Sequence, residues 1–418
     1  MSSEALRLFV DATLTQVRIG LRNIVRQRRR SAFGILSVGF GVIALLLAAG
    51  FIEWLFWGMR ESTIQSRLGH IQVAKAGYFE SGSADPYRFI MSELPPSLAA
   101  LEKNKDVAAV TPRLAVTGLI SKGDATISFI VEGVDAAKEA VFARAVMIEA
   151  GRGLDANVRD GIIVGRGLAE NLGVQPGDTV TLLAKKADGG MSGVDAQVRG
   201  TFSTVTKAYD DTAIRLPIAL ARQLAQTNGT HAWIVVLRET ATTDRVADSI
   251  RGPLQAGGFQ IKTWLELADF YRKTVTLFSR QVGVMKIIIA VIIVLSILNT
   301  LTSAVLERTG EIGTIMALGS NRMTVMRQFL IEGLLLGIVG GVLGLIGGVG
   351  LAYLISAIGI PMPPPPGMAR GFVGEIRITG SLMLEALWLA AVTTLLASLY
   401  PAWKASRLTI VDALRHNR

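Results

Sequence analysis

The amino-acid sequence predicts a membrane α-helical protein that has four transmembrane helices and a large extracytoplasmic α+β domain inserted between the first and second helices. Half of its 418 residues are hydrophobic and only 18% are charged, whereas soluble domains average about 25% charged residues. The apolar residues collect in four long segments, each near the roughly 20 residues that a helix needs to cross a bilayer. The chain still carries 43 basic and 33 acidic residues, so a large water-exposed part is expected as well.

The four predicted transmembrane helices comprise residues 31–57, 282–306, 329–360 and 381–403. The first contains an uncharged run from Ser31 to Ile52, which is longer than the roughly 7 to 15 apolar residues of a cleaved signal. We therefore expect the first segment to be an uncleaved membrane anchor.

The distribution of lysine and arginine predicts the orientation in the membrane. The segments 1–30, 307–328 and 404–418 together hold 14 basic and five acidic residues, which accounts for +9 of the net charge of +10. With four spans these segments share one side, and the positive-inside rule makes that side the cytoplasm. We expect a multi-pass protein of the cell inner (cytoplasmic) membrane, with both termini cytoplasmic and the large domain periplasmic or extracellular. Because insertion and membrane lipid explain the arginines, no nucleic acid partner is predicted.

The leader, residues 1–30, has the pattern of a basic amphipathic helix that lies in the membrane interface. Its apolar residues recur at helical spacing: Val10, Leu14, Val17, Leu21 and Ile24. Arg18, Arg22 and Arg26 recur on another face. We expect this cytoplasmic helix to run parallel to the bilayer before the first span.

Residues 58–281 are polar and rich in turns, with alternating strand and helix signals. The strand signals are 70–73, 107–113, 126–133, 179–183, 232–237 and 259–263, and the helix signals are 96–103, 167–172, 218–225 and 243–255. Two β–α–β runs, beginning at His70 and Ala232, indicate a split βαβ arrangement. We predict a membrane-near part, 58–113 and 231–281, and a distal lobe, 114–230.

The sequence contains no recognised catalytic pattern. It has no Gly-x-x-x-x-Gly-Lys-Ser/Thr phosphate loop, so we expect no ATP hydrolysis by this chain itself. It also has no Gly-x-Ser-x-Gly elbow and no cysteine, so neither a hydrolase elbow nor a cysteine nucleophile is present. His70, His231 and His416 fall on both sides of the predicted membrane, which argues against a histidine-based metal site. Asp210 and Asp211 would point apart on an extended chain, which favours a solvated turn over acid–base or calcium chemistry. We predict no catalytic residue, no metal ligand and no directly bound cofactor.

The connection between the second and third spans carries the most distinctive pattern. It reads E-R-T-G-E-I-G-T-I-M-A-L-G-S from Glu307 to Ser320. A short helix with this many apolar residues and a glycine stop at Gly319 needs a cover, which is either a partner protein or the lipid headgroups.

This run resembles the E-R-x-x-E-I-G-x-x-x-A-x-G signature of the MacB/FtsX-like ABC transporter permeases, whose cytoplasmic coupling helix docks on the ATPase subunit. The similarity extends over nearly the whole chain, and Ile163 to Asp178 looks like the family's strand, helix and Gly-Asp turn. Because this chain lacks the ATPase that MacB carries, it is most similar to the separate permeases of the lipoprotein-releasing LolC/LolE type. The resemblance implies that the membrane-near part is porter-like, and that ATP and Mg are bound by the partner ATPase. It also implies these ATPase-coupling residues: Glu307, Arg308, Glu311, Ile312, Gly313, Ile315, Met316, Leu318 and Gly319.

Other patterns concern helix packing and the substrate. Small-xxx-small ladders in the third span permit close helix approach, through Gly333, Gly337, Gly340, Gly341, Gly344 and Gly348. The outer loop 361–380 begins with a proline-rich run and is interpreted as a stiff spacer, with a substrate gate as the alternative. The candidate substrate contacts are Trp54, Trp57, Val282 and Met362. An aromatic belt is the simpler interpretation of the two tryptophans.

The sequence and the resemblance together predict a permease subunit. It would transmit ATP-driven motion of a separate ATPase to extracytoplasmic domains, in order to extract or export a lipoprotein or another amphiphile. The expected partners are an ABC ATPase dimer, a second permease in a homodimer or heterodimer, a periplasmic acceptor or adaptor, and membrane lipid. The alternative is an FtsX-like transmembrane signalling scaffold that activates an external cell-wall hydrolase without transport.

Overall fold

The computed structural model describes residues 16–82, 85–138, 146–204, 206–363 and 371–409. Three of the sequence predictions lie partly outside these ranges. They concern the first half of the leader with Val10 and Leu14, the proline-rich run over 364–370, and the tail from 410 with His416.

Four helices in the described ranges are long and apolar enough to cross a membrane, by length and composition. They are α2 (Arg28–Thr63), α10 (Asp269–Glu307), α12 (Arg322–Ile358) and α13 (Gly380–Ser406), and a helix over 16–26, α1, precedes them. Each begins before its predicted span, because the sequence prediction followed the uncharged residues, whereas helical hydrogen bonding continues into polar flanks. After Thr63, α2 continues as a π-helical turn, Ile64–Leu68.

The long helices share an apolar core. Its residues recur at helical spacing on each helix and include Val38, Val42, Leu45, Ile293, Ile297, Leu301, Leu336, Ala386, Ala390 and Ala397. Other faces are apolar and exposed, as Phe33, Phe40 and Leu295 illustrate. Such faces are typical of helices that lipid or another membrane helix surrounds.

The predicted coupling segment, 307–328, is not a single helix. A short helix, α11, occupies Thr309–Ala317, and α12 already begins at Arg322. Between them Gly319 has a φ of 96°, a left-handed conformation that glycine adopts without strain. The side chain of Asn321 accepts a hydrogen bond from the Met323 backbone and so caps α12.

The chain between Trp57 and Thr274 belongs to one compact unit that contains a ten-stranded sheet. The strands are β1 (Ile71–Lys75), β2 (Val107–Lys122), β3 (Ala125–Val134), β4 (Met147–Gly151), β5 (Gly161–Gly165), β6 (Thr179–Lys185), β7 (Met191–Ser203), β8 (Ala213–Pro217), β9 (Ala232–Leu237) and β10 (Phe259–Thr263). The helices are α3 (Tyr78–Ser81), α4 (Pro96–Leu101), α5 (Arg166–Leu172), α6 (Lys207–Asp210), α7 (Ile218–Ala225), α8 (Thr243–Ala256) and α9 (Trp264–Leu267). Two further strands, β11 (Ile360–Met362) and β12 (Phe372–Gly374), pair with each other.

One end of the large sheet has the order β10-β1-β9-β2, and each neighbouring pair is antiparallel. This order is the one that two interleaved βαβ units produce. The crossover helices α4 and α8 share an apolar core with these strands, which includes Leu98, Leu101, Val246 and Ile250.

The sheet continues from there without a break, because β2 runs on to Lys122 and pairs with β3 and β6. The remaining order is β3-β8-β5-β7-β4, and β6 pairs with both β2 and β7. A second apolar core, with Leu168 and Leu172 of α5 and Leu220 and Leu224 of α7, lies in this part. The domain therefore has one sheet and two main apolar cores.

Candidate coupling surface at the α10 to α12 connection

One face of α11 is buried against its own chain. Ile312 is 5% exposed and Met316 is 8% exposed. They share an apolar cluster with residues from the ends of three long helices: Val305, Val325, Phe329, Ala402 and Ala405. Of the nine residues predicted to couple to the ATPase, Ile312, Gly313 and Met316 are thus buried within this chain. They anchor α11, and the sequence pattern could not show this because the alanines of α13 are distant in sequence.

Arg308 is also internal. Its Nη1 lies 3.2 Å from Oε2 of Glu332 on α12, and both side chains are buried. Asn23 of α1 forms a side-chain hydrogen bond to the same carboxylate. Buried charges are tolerated when they are paired and hydrogen-bonded, so this pair fixes the start of α11 beside α12. Arg308, another of the predicted coupling residues, therefore has its partner inside the chain.

The C-terminal end of the connection remains exposed. Leu318 is 84% exposed, Ile315 is 40% exposed, and Met323 in the first turn of α12 is 53% exposed. We call these three residues the docking patch. Large apolar side chains on the outside of an internally anchored element are typical of a protein contact surface.

The two glutamates of the connection pair with arginines of the same chain. Nη2 of Arg26 donates a hydrogen bond to Oε1 of Glu311 at 2.5 Å, and Arg30 forms an ion pair with Glu307. All four side chains are partly exposed. The glutamates therefore have intrachain partners where the sequence predicted ATPase contacts.

One glycine ladder of α12 faces α2. A Cβ atom on Gly340 would lie 2.8 Å from the carbonyl oxygen of Ile35, and one on Gly344 would lie 2.6 Å from that of Gly39. A Cβ atom on Gly348 would lie 2.7 Å from Cδ1 of Leu46, also on α2. Only glycine permits this approach of two backbones.

The other ladder of α12 faces α13. Gly333 lies against Ser398, and Gly337 lies against Thr394, so closely in both cases that a side chain would overlap the hydroxyl group. Gly341 is on the same side of the helix. The six glycines thus serve two different helix contacts.

The structure places the four candidate substrate contacts in different settings. Val282 lines a cavity of about 210 Å³ among α2, α10 and α13. Trp54 stacks on Phe51 with ring centroids 6.1 Å apart, Trp57 is 40% exposed, and Met362 lies on β11.

Charged side chains line the same cavity. Lys286 of α10 forms an ion pair with Glu385 of α13, and Glu53 of α2 is a third charged lining residue. Phe56 and Val282 supply apolar surface next to them. The lining of the cavity is therefore partly apolar and partly charged.

A buried ion cluster lies in the α+β domain around Glu132 of β3. Nη1 of Arg113 is 2.6 Å from Oε2, and Nε of Arg67 in the π-helical turn is 3.2 Å from Oε1. Nη2 of Arg215 is 3.5 Å from Oε2 and also donates to the Ser66 carbonyl oxygen. Burial alone would raise the pKa of Glu132, but the three arginines outweigh it and lower the pKa to about 2. The cluster ties the π-helical turn to β2, β3 and β8.

Asp210 corrects a prediction made for the Asp210–Asp211 pair. It is 2% exposed, and its carboxylate accepts hydrogen bonds from both the backbone and the hydroxyl group of Thr204. Asp211 is the more exposed of the two and pairs with Lys207. Only Asp211 therefore fits the predicted solvated turn.

Two family models match this architecture. Residues 31–252, more than half of the chain, match the MacB-like periplasmic core domain, and residues 283–410 match the FtsX-like permease C-terminal region. The chain belongs to the MacB/FtsX-like permease family. Because it matches a periplasmic core domain and lies between long apolar helices, the domain between the first two long helices is the extracytoplasmic part of a membrane protein.

The chain is also similar to named proteins and to a solved structure. An uncharacterized ABC transporter permease of Methanocaldococcus jannaschii is 27% identical over 283 residues, which are 64% of this chain and 65% of that protein. The macrolide export ATP-binding/permease protein MacB of Chromobacterium violaceum is 26% identical, over 93% of this chain and 58% of that protein. The crystal structure of the periplasmic region of MacB from Actinobacillus actinomycetemcomitans is 13% identical, covers 51% of this chain and 94% of its own, and has a TM-score of 0.35. The permease thus spans less than two thirds of the length of these two curated relatives.

Three sets of ion pairs in this permease were not predicted from the sequence. They are the two pairs between arginines and glutamates on the connection, the Lys286–Glu385 pair and the Glu132 cluster. Within the described residues, none of them forms a cluster of His, Asp and Glu that could hold a metal ion. The sequence does contain one indication of the pairs on the connection. Arg26 and Arg30 are four residues apart, and so are Glu307 and Glu311. The Lys286–Glu385 pair and the Glu132 cluster join residues far apart in sequence, and no local pattern shows them.

Proposed function

We propose that this chain is the permease subunit of an ABC transporter and works with a separate dimeric ATPase that binds ATP and Mg. The observation that carries the proposal is the docking patch. Leu318 is 84% exposed although α11 is anchored by buried Ile312 and by the Arg308–Glu332 pair. A rigid element with an apolar end can transmit a push from a moving partner without deforming.

The proposed site of action is the cell inner (cytoplasmic) membrane. Both termini and the docking patch would be cytoplasmic, and the large domain would be periplasmic or extracellular. The excess of basic residues in the leader, the connection and the tail supports this orientation.

A second permease would complete the transporter as a homodimer or a heterodimer. Exposed apolar side chains such as Phe33 and Phe40 of α2 and Ile287 of α10 provide surface for it. A periplasmic acceptor or adaptor would take the cargo from the extracytoplasmic domains.

The proposed cargo is a lipoprotein or another amphiphile, as in transporters of the lipoprotein-releasing type. The support is the cavity among α2, α10 and α13, where Phe56 and Val282 lie next to Glu53 and the Lys286–Glu385 pair. An acyl chain would contact the apolar residues, and a polar headgroup would contact the charged ones.

Purification of the chain from its native membrane in mild detergent tests the function. An ABC ATPase should co-purify, and its ATP hydrolysis in proteoliposomes should rise when a lipoprotein is added. A photo-crosslinker at Val282 should capture the lipoprotein, and ATP should release it. Hydrolysis that responds to a cell-wall hydrolase and to no amphiphile would contradict transport and favour the signalling scaffold.

A further inference from the structure

The leader helix α1 and the first turn of α2 contact α10, α11 and α12 through a row of polar residues. Asn23, Arg26 and Arg30 are spaced three and four residues apart, so they follow one another along one side of the chain as it enters α2. Asn23 bonds to Glu332, Arg26 bonds to Glu311, and Arg30 pairs with Glu307.

The carboxylates opposite this row have a matching spacing. Glu307 is the last residue of α10 and Glu311 lies in the first turn of α11, four residues later. Two arginines four residues apart therefore meet two glutamates four residues apart. A single coincidental surface pair would not produce this double match.

Apolar packing fixes the same helix independently of the charges. Gly20 of α1 is buried, and a Cβ atom there would lie 2.9 Å from Cδ1 of Leu335 on α12. Ile24, one turn later, packs against the apolar core of the long helices. The side of α1 that bears Gly20, Asn23 and Ile24 is thus held against the helices, while Leu21 and Val25 are exposed.

Exposed ion pairs contribute little to stability, because water screens them and long side chains lose entropy. The two pairs therefore fix the positions of the helices and add little to the free energy of folding. The Arg26–Glu311 pair holds the N-terminal half of α11 beside α1, and the Arg30–Glu307 pair holds the end of α10 beside the start of α2. The docking patch consists of apolar side chains, which form no such pairs.

We propose that Glu311 is a positioning residue that binds α11 to the leader helix through Arg26, so that the two helices move as one unit. Glu307 supports this contact, because it pairs the end of α10 with Arg30 at the start of α2. The leader is then part of the device that receives the motion of the ATPase, and Glu311 acts through α11 without touching the ATPase. The geometric claim stands by itself, and its consequence for coupling rests on the proposed function.

A cross-linking experiment tests the geometry without any ATPase. The chain contains no cysteine, so two introduced cysteines form an unambiguous pair. Arg26→Cys with Glu311→Cys in the full-length chain in proteoliposomes should give the intramolecular product with a short bis-maleimide, detected by mass spectrometry of the linked peptides. Val25→Cys with Glu311→Cys is the matched control, since Val25 is exposed on another side of α1, and should react much less. Equal yields from the two pairs, or no product from the first, would overturn the contact.

A charge exchange tests the positioning role in the reconstituted transporter. Arg26→Glu and Glu311→Arg should each lower permease-dependent ATP hydrolysis several-fold, and the double exchange should restore most of it. A purely structural requirement for either side chain would not be rescued in this way. Loss in Glu311→Arg that the exchange does not restore would overturn the proposal and indicate direct contact with the ATPase.

The docking variant Leu318→Asp separates this proposal from the proposed function. If Leu318→Asp leaves binding of the ATPase unchanged while the cross-link between positions 26 and 311 forms, the proposed function fails. The contact between the leader and α11 then stands. If the ATPase is lost but the cross-link does not form, the positioning role fails and the proposed function stands.

Discussion

Glu132 is the residue whose replacement should weaken the extracytoplasmic domain most. Glu132→Gln would remove the carboxylate that pairs with Arg67, Arg113 and Arg215. Removing one partner of a buried ion pair costs about 3–5 kcal/mol, because the remaining charge stays buried. The free energy of opening, measured by hydrogen exchange of the β3 amides in the purified full-length chain, should fall by that amount.

The exposed pair between Glu102 and Lys138 provides the control for this measurement. Glu102→Gln should cost less than about 1 kcal/mol, because water already screens that pair. A loss of equal size in the two variants would show that the buried cluster has no special role.

His70 and His231 should make the same domain sensitive to acid. Burial lowers the pKa of each to about 4, whereas an unfolded histidine titrates near 6.5. Between pH 4 and pH 6.5 the unfolded chain therefore binds more protons than the folded chain. Stability should therefore be complete above about pH 6.5 and fall toward pH 4, by up to about 3 kcal/mol for each histidine.

Two carboxyl groups modify this pH dependence. The pKa of Glu132, lowered to about 2, extends the loss of stability below about pH 4.5, while burial raises the pKa of Asp210 and produces a smaller opposite effect. Denaturation midpoints recorded between pH 7.5 and 4 should decline steeply in the natural chain and less steeply in the His70→Gln, His231→Gln double variant. Identical slopes would exclude the histidines as the cause.

Sequence alone could identify residue types in the site but could not tell which of them are buried. The pattern around Ile312 and Leu318 predicts an apolar helix, yet one of these residues is 5% exposed and the other 84% exposed. The difference arises from Phe329 and from the distant Ala402 and Ala405, which cover only one face. Burial at this site is thus a property of the assembled helices.

At the scale of elements, the contact between α2 and α12 depends on glycine. A Cβ atom at position 344 would lie 2.6 Å from the Gly39 carbonyl oxygen, so Gly344→Ala should force the two helices apart. Overpacking of this kind costs about 1–3 kcal/mol. The midpoint of thermal unfolding in detergent should fall accordingly.

Gly350→Ala is the matched control on the same helix. A Cβ atom there meets nothing within 4 Å, and alanine is the better helix former. This variant should be as stable as the natural chain or slightly more stable. If Gly344→Ala behaves like Gly350→Ala, close packing at the ladder is not needed for stability.

The elements that sequence analysis could predict are those with a strong local period. All six strand signals and all four helix signals correspond to strands and helices of the domain. Strand β8 was not predicted, because buried Arg215 interrupts its apolar run, and β7 was not predicted, because it begins with polar residues and glycines. Both are stabilised by neighbouring strands that the local sequence does not reveal.

At the scale of the whole molecule, hydropathy predicted the four long apolar helices and the domain between the first two of them. The repeated βαβ pattern predicted a split βαβ arrangement, and the order β10-β1-β9-β2 has that arrangement. The sequence did not predict that one continuous sheet runs through the whole domain. The predicted division between a membrane-near part and a distal lobe cuts through β2, which runs from Val107 to Lys122 and pairs with β9, β3 and β6. A motion of one part would therefore be transmitted to the other through hydrogen-bonded strands.

The orientation of the chain can be measured with single cysteines. Asp188→Cys on the exposed turn before β7 should react with an impermeant maleimide added outside, and Lys404→Cys near the end of α13 should react only after the membrane is opened. Both positions are exposed, whereas Ser406 at the end of α13 is buried and unsuited to labelling. The reverse labelling would contradict the orientation proposed from the basic residues.

The central claim is that the docking patch receives a separate ATPase, and Leu318→Asp tests it most directly. A charge in an apolar contact is costly, so co-purification of the ATPase and permease-dependent ATP hydrolysis should both fall about tenfold or more. Met191→Asp is the control, because Met191 is 60% exposed on β7 of the extracytoplasmic domain and should leave both quantities unchanged. Full ATPase binding and hydrolysis with the Leu318→Asp chain would contradict the account.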